Sequence, residues 1–400
     1  MVVSEKRRIK STGIIVAVLT AVHFIHLVDF VVMMPLGPAL MKLFDLTPSG
    51  FSALVSVYNI ASGVVGIVFS FYSNLFQKKY ALLVSLIGLG VCTIMTGLSS
   101  TSEALFISRL FTGLFGGMLN PLVFALVADL VPYKERGKAM GWIMSGFSLA
   151  SVFGVPLGLW LNDEFGLTAP FFVIGVISFI VAIFCGFFVP KIYKAPQTLK
   201  LNLLIGEMKE FFKRSSYKRS FVIIFILSGS MFLLIPLLSP FAVSNMGIKQ
   251  EELKFMYLIG GVFTIFTARL FGVMTDRYGP KKVFYLICFL SFFPILVFTQ
   301  SGEISFFSYI VIGSLFMSLV SGRMIPAMTL ISGIPNASDR NRFMGLINSL
   351  RGFGSAIFAF LAGLIVVTSS SGQLINFNYV GLLAIAVSII AIILLKNLKG

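Results

Sequence analysis

Charge is what this chain has least of. Asp, Glu, Lys and Arg together make up 12% of its 400 residues, about half the 25% or so that covers the surface of soluble domains. A water-soluble globular fold is excluded on that ground. Acids are scarcer than bases, 15 against 31. Histidine occurs only at His23 and His26, and cysteine only at Cys92, Cys185 and Cys288. The cysteines show no CxxC spacing and fall in apolar runs, so they read as small core residues and support neither a disulfide framework nor a thiolate metal site. No nucleotide-binding loop and no nucleophile-base-acid grouping occurs, so nothing supports an enzyme.

Apolar sequence is what is present, at 57% of residues and a mean hydropathy of +0.98. A helix needs roughly 20 apolar residues to cross a bilayer, and the chain offers stretches at 13–36, 50–72, 80–98, 104–130, 140–161, 169–189, 220–242, 253–274, 283–300, 305–332, 342–368 and 375–395. The expected fold is an all-α polytopic membrane protein with twelve transmembrane helices in two six-helix halves. The first apolar run lacks a small-residue cleavage site and is expected to be retained as a helix. The only long polar stretch, Pro190 to Arg219, divides the chain into a 1–189 bundle, a 190–219 linker and a 220–400 bundle. Its segment LNLLIGEMKEFFKR, Leu201 to Arg214, is a possible amphipathic piece lying on the membrane surface.

The net charge of +16 invites a nucleic-acid reading, but the positions of the bases argue otherwise. Counting spans from the N-terminus, nearly all Lys and Arg fall on one side. Lys42, Lys249 and Lys254 lie on the other, and Arg109, Arg269, Arg323 and Arg351 lie within spans. This is the positive-inside pattern. It places both termini in the cytoplasm and makes the basicity a matter of topology, with no nucleic-acid partner expected. The expected partners are the lipid bilayer and a small molecule, and the chain is expected to be a monomer.

An internal repeat supports the division. PYKERGKAMGWIMS (Pro132 to Ser145) and PNASDRNRFMGLINS (Pro335 to Ser349) align Arg136 with Arg340, Met140 with Met344, Gly141 with Gly345 and Ser145 with Ser349. Both follow the fourth span of their half, the layout of transporters built from parallel six-span repeats. GVMTDRYGPKK (Gly272 to Lys282) joins spans eight and nine, where Gly272 permits close helix packing, Asp276 suits a helix terminus or a basic partner, Arg277 follows it and Gly279 suits the turn. Its first-half counterpart, SFYSNLFQKK, has Ser73 or Asn74 in place of the Asp and Gln77 in place of the Gly.

With LFISRLFTGLFGG (Leu105 to Gly117), GFSLASVFGVPLG (Gly146 to Gly158) and HLVDFVVMMPLGP, these motifs resemble the major facilitator superfamily and, within it, the bacterial efflux branch of arabinose-efflux-type or drug/proton antiporters. The resemblance covers essentially the whole chain. It implies a secondary transporter of a bacterial inner membrane, working by alternating access with the loop at Gly272 to Lys282 as a latch. Export is implied by the fifth-helix pattern alone.

Ionisable groups within spans are functional candidates, because burial at a helix centre costs about 2.5–3.5 kcal/mol even on lenient scales. Asp29 and Arg109 fall at similar depth in spans one and four, and their pairing and unpairing is expected to couple proton movement to conformational change. His23 and His26 share a helical face with Asp29 and titrate near neutrality. A relay ending at Asp29 and histidines that only hydrogen-bond to a neighbouring helix both remain open. Arg323 and Arg351 have no acid within spans seven to twelve, so Arg323 is expected to contact an anionic or strongly polar cargo with Arg351 in support. Tyr58, Asn59, Asn120, Trp142, Asn348, Ser228 and Ser230 are further cavity candidates, each of which also suits a helix-helix hydrogen bond. Asp129, Arg136 and Arg340 are assigned to gating with the Gly272 loop, and Arg269 can snorkel to the membrane surface.

The function expected is proton-coupled export of a small anionic or amphipathic organic molecule, driven by the proton gradient with no cofactor. Two alternatives stay open. One is a divalent metal exporter using His23, His26 and Asp29, though the shell lacks a further ligand; the other is a lipid or lysolipid transporter.

Overall fold

The computed structural model describes residues 2–72, 77–132, 135–191, 206, 211, 213–336 and 339–396, with the side chains of 2–11, 71, 72 and 341 left aside. Most of the proposed amphipathic piece at Leu201 to Arg214 lies outside the described residues, and Ser73 and Asn74 lie outside them altogether.

Twelve helices are long and apolar enough to span a membrane: α1 (Thr12–Val32), α2 (Pro48–Ser70), α3 (Lys78–Gly97), α4 (Ser102–Leu130), α5 (Arg136–Phe165), α6 (Thr168–Phe188), α7 (Ser215–Asn245), α8 (Gln250–Tyr278), α9 (Pro280–Gln300), α10 (Phe306–Ser332), α11 (Arg342–Ile365) and α12 (Phe377–Lys396). An even number of crossings puts both chain ends on one face, here the terminal face; the other is the distal face. Helix starts follow local chemistry. Thr101 and Ser305 cap α4 and α10 by accepting from the amides of Ala104 and Ser308, each at 3.2 Å, which satisfies donors that no helical carbonyl can reach. Distally, α11 and α12 are joined by a two-stranded hairpin, β1 (Val367–Thr368) with β2 (Leu374–Ile375).

Three spans are interrupted, each where the sequence weakens the helical ladder. A π-helical turn at Ala150–Gly154 precedes Pro156 in α5, α7 breaks at Leu233 and Leu234 ahead of Pro236, and α10 breaks at Arg323 ahead of Pro326. Proline removes an amide donor and crowds the preceding turn.

Small residues set the helix crossings. In α4 a Cβ on Gly113 would lie 2.5 Å from the Tyr58 carbonyl, and one on Gly117 2.6 Å from Ser62, so α2 and α4 touch backbone to backbone. The glycines of α5 do the same against α1: added Cβ atoms at Gly146, Gly154 and Gly158 would meet His23, Val28 and Val32.

The halves meet asymmetrically. α2 and α11 run together over their whole length, from Ser52 beside Gly363 to Ser70 beside Gly345, with the Ser56 hydroxyl donating to the Ala356 carbonyl at 2.7 Å. Distally the halves are further sealed by Gly37 against Pro240, by Ser151 and Val152 against Gly261, and by Lys254 donating to Asp163 at 3.2 Å. Toward the terminal face, α4 and the first segment of α5 make no substantial packing with α10 among the described residues. Among the described residues the central space therefore opens to the terminal face.

Candidate functional site

Asp29 lies near the distal end of α1 at 0% exposure. Its Oδ1 accepts from the Thr93 hydroxyl at 2.8 Å, and the Arg109 Nη1 donates to Oδ1 and Oδ2 at 3.3 and 3.2 Å. The Arg109 guanidinium stands 4.6 Å from the centroid of the Tyr58 ring, a cation-π contact strengthened by the burial of both side chains. Both ions are thus neutralised inside the bundle, as a buried charge requires.

A polar chain leads from this pair toward the centre. The Tyr58 hydroxyl is 3.3 Å from His26 Nδ1, His26 Nε2 is 3.4 Å from Asn120 Nδ2, and Asn120 Oδ1 is 2.8 Å from His23 Nδ1. Glycine makes room for it: the space a side chain on Gly116 would need holds the Tyr58 hydroxyl and His26, and Gly146 leaves room for His23. Beside the chain, Phe30 stacks between Tyr58 and Phe232 of α7 at centroid distances of 5.1 and 6.0 Å. This aromatic stack joins α1 and α2 of the first half to α7 of the second.

Two arginines of the second half differ sharply. Arg323 is at 0% exposure; its Nε donates to the Val320 carbonyl at 3.2 Å and its Nη1 to the Ser388 hydroxyl of α12 at 2.7 Å, while Nη2 has no partner among the described residues. Its hydrogen bonds thus run within α10 and back to α12. Arg351 of α11 is exposed and its guanidinium has no hydrogen bond or ion pair among the described residues.

The other candidates fall into place more plainly. Asn59 donates to Val55 of its own helix at 3.0 Å; Ser228 and Ser230 bond to carbonyls of α7; Trp142 is 59% exposed; and Asn348 lies one turn from Arg351 on the same face. His23 and His26 share Asn120 while Asp29 turns to Thr93 and Arg109, and no group of three His, Cys, Asp or Glu suited to a metal occurs among the described residues.

Of the gating candidates, Gly279 makes its turn at φ +87°, the left-handed region that favours glycine. Asp276 and Arg277 are exposed. Close packing was expected at Gly272, and here the structure corrects the sequence reading: a Cβ there would meet nothing within 4 Å, because the halves part at this end. Arg136 caps α4 by donating to the carbonyls of Ala128 and Val131 at 2.5 and 3.1 Å, whereas Arg340 is exposed. Asp129 pairs with buried Lys78 at 2.6 Å. Asp339, beside Arg340, accepts from Arg214 at 2.5 Å and from Tyr217 at 3.2 Å; the hydrogen bond to Asp339 raises the Arg214 pKa above its ordinary value.

Sequence reasoning missed Thr93, Ser388, Lys78 and the Asp163–Lys254 pair. Thr93 and Ser388 are single hydroxyls in apolar runs, with no spacing signal. Opposite charges at the distal ends of spans five and eight were a signal for the last pair.

The fold and the buried ion pair between inward-facing helices define a secondary transporter, a multi-pass membrane protein with two six-helix bundles around a central space. The chain belongs to the major facilitator superfamily: the family model, described as Major Facilitator Superfamily, matches residues 19–218 and 220–398. It is 23% identical to Multidrug resistance protein 2 of Bacillus subtilis (strain 168) over 330 residues, which is 81% of this chain and 82% of that protein. It is 26% identical to Multidrug resistance protein MdtG of Proteus mirabilis (strain HI4320) over 295 residues, 70% of this chain and 69% of that one. Among solved structures, it resembles a bacterial homolog of the human lysosomal transporter Spinster in an inward-facing and occupied conformation, with a TM-score of 0.75, 13% identity and 96% of each chain covered. The nucleoside transporter NupG follows at a TM-score of 0.73 and 15% identity, covering 96% of this chain and all of that one. Fold and family are those of transporters rather than enzymes.

Proposed function

We propose that the chain is a proton-coupled exporter of a small anionic or amphipathic organic molecule in a bacterial inner membrane, with its termini in the cytoplasm and the monomer as the working unit. The similarity to multidrug resistance proteins supports export, and the bias of Lys and Arg to the terminal face supports the orientation. The observation that carries proton coupling is the sealed Asp29–Arg109–Thr93 cluster. A carboxylate held by one arginine and one hydroxyl inside a bilayer is a two-state element. Ionised, it holds Arg109; protonated, it releases the charge that anchors Arg109 and leaves the guanidinium leaning on Tyr58 alone.

In that scheme the distally sealed state is the deprotonated one, open to the cytoplasm for cargo. A proton reaching Asp29 from the outer side in the opposite state, and leaving it inward on return, drives one cargo molecule out per cycle. Tyr58, His26, Asn120 and His23 link the change at Arg109 to the space where cargo sits. Replacing Asp29 by Asn fixes the protonated form. In proteoliposomes under an imposed pH gradient, screened with aromatic acids, lysolipids and dyes, the wild type is expected to accumulate cargo and Asp29→Asn to lose gradient-driven transport while keeping cargo exchange at equal pH. Wild-type transport indifferent to the gradient, or unchanged in Asp29→Asn, overturns the reading.

A further inference from the structure

What the central space selects follows from the charges it presents. Asp29 is the one fully buried carboxylate among the described residues, and both its oxygens are occupied by Arg109 and Thr93. Arg109 is committed to that pair, and Arg323 is buried against Val320 and Ser388. Arg269 of α8 is exposed nearer the terminal end of its span, so the charge left over at mid-span depth is Arg351, midway along α11.

The packing of α11 fixes which way Arg351 points. Gly352 lies against Asn59 and Gly63 of α2, and Gly354 against Phe225 of α7. Exposed Ile357, Phe360 and Leu364 share a third, apolar side, which suits lipid. Arg351, with Asn348 and Ser355, occupies the remaining side, which lies between the α2 and α7 contacts and opposite the lipid side, toward the central space. An unpaired guanidinium exposed at mid-membrane depth calls for an anion or water. A lipophilic cation placed in the same space would meet Arg351 with no free carboxylate to offset it.

We propose that Arg351, rather than Arg323, selects the cargo, and that the cargo is an amphipathic monoanion whose carboxylate or sulfonate pairs with Arg351 while its apolar body lies against the aromatic stack of Phe30 and Phe232. A planar guanidinium matches a carboxylate with two parallel hydrogen bonds, and one free cation at mid-span depth balances a single negative charge. Asn348, one turn away, supplies a neutral donor on the same face. An aromatic acid and a fatty acid share this chemistry, and the test separates them.

The proposal rests on the central space being the cargo site of a transporter, so it is tested by binding with no gradient present. The full chain in lipid nanodiscs is titrated with radiolabelled 1-naphthoate and, separately, dodecanoate, with 1-naphthamide and tetraphenylphosphonium as competitors. At least one anion is expected to bind, the neutral amide to compete poorly and the cation not at all. Arg351→Gln is expected to weaken anion binding at least about tenfold, as for loss of a charged hydrogen bond. Arg351→Lys should keep more affinity than Gln, because it keeps the charge and loses only the bidentate fit, and Arg323→Gln should bind as the wild type does. Equal anion binding in the wild type and Arg351→Gln overturns the proposal, as does preference for tetraphenylphosphonium or a loss confined to Arg323→Gln. Anion binding that survives Asp29→Asn while transport in that variant stays gradient-driven sinks the coupling scheme and leaves the anion site standing.

Discussion

The two halves of this chain share a fold and handle buried charge in opposite ways. In the first half the buried ions are paired: Asp29 with Arg109 and Lys78 with Asp129. In the second half Arg323 and Arg351 have no acidic partner, one held by a serine and a carbonyl and the other by nothing among the described residues. A paired ion depends on its partner, so a protonation at one end changes the state of the other. An unpaired ion is free to hold something brought from outside. The division suits a machine in which one half senses protons and the other senses cargo.

Removing one arginine from each half breaks the comparison most directly. Arg109→Met leaves Asp29 at 0% exposure with Thr93 as its only donor, a change expected to cost about 3–5 kcal/mol because an uncompensated charge stays buried. Arg323→Met strands no partner, since the Ser388 hydroxyl keeps its bond to the Ala384 carbonyl at 2.7 Å. It is expected to be neutral or stabilising, the usual result when a buried ion gives way to a well-packed apolar chain. The fraction of detergent-purified protein that stays monodisperse through a heating ramp measures both. Equal losses would mean the halves do not differ as described.

A finer test stays within the second half. Ser388→Ala removes a hydrogen bond to a charged group and is expected to cost about 1.5–3 kcal/mol. In the Arg323→Met background the same change should cost almost nothing. The coupling between the two substitutions, read from the same heating assay, isolates the Arg323–Ser388 contact from any effect of Ser388 on α12 alone.

The contrast between the halves was half visible in the sequence. Twelve spans and their grouping followed from apolar run lengths, because a bilayer admits few other solutions for backbone polar groups. The Asp29–Arg109 pair was legible for a similar reason: an acid and a base at matching depth, where each is costly alone. The roles of the two second-half arginines were not legible. Both sit in apolar runs with no acid near, and only helix rotation separates them. The break of α10 at Arg323 turns that side chain toward α12, whereas glycine contacts at Gly352 and Gly354 turn Arg351 toward the centre. Rotation of that kind is set by tertiary packing between distant segments, which single-sequence periodicity does not encode. Asn120 was named as a cavity residue, but its position between both histidines depends on the close α2–α4 crossing and on the small residues at Gly116 and Gly146.

The smallest effect concerns the seam where the halves meet. On the distal face Lys254 of the second half reaches Asp163 of the first, with side chains 27% and 19% exposed. A pair that exposed is worth about 0.2–1 kcal/mol, so Lys254→Gln should raise the share of distally open molecules by a factor of only about 1.4–5. Spin labels on cysteines at Glu164 and Glu251, both exposed beside this pair, with Cys92, Cys185 and Cys288 replaced by Ala, report that share as a longer-distance population. High salt should shift the unsubstituted background the same way, since screening weakens a surface pair, and should do little once Lys254 is gone. A salt shift of equal size in both would place the distal seal in the aromatic stack of Tyr58, Phe30 and Phe232 and the glycine contacts of α5, leaving the two halves joined there by shape alone.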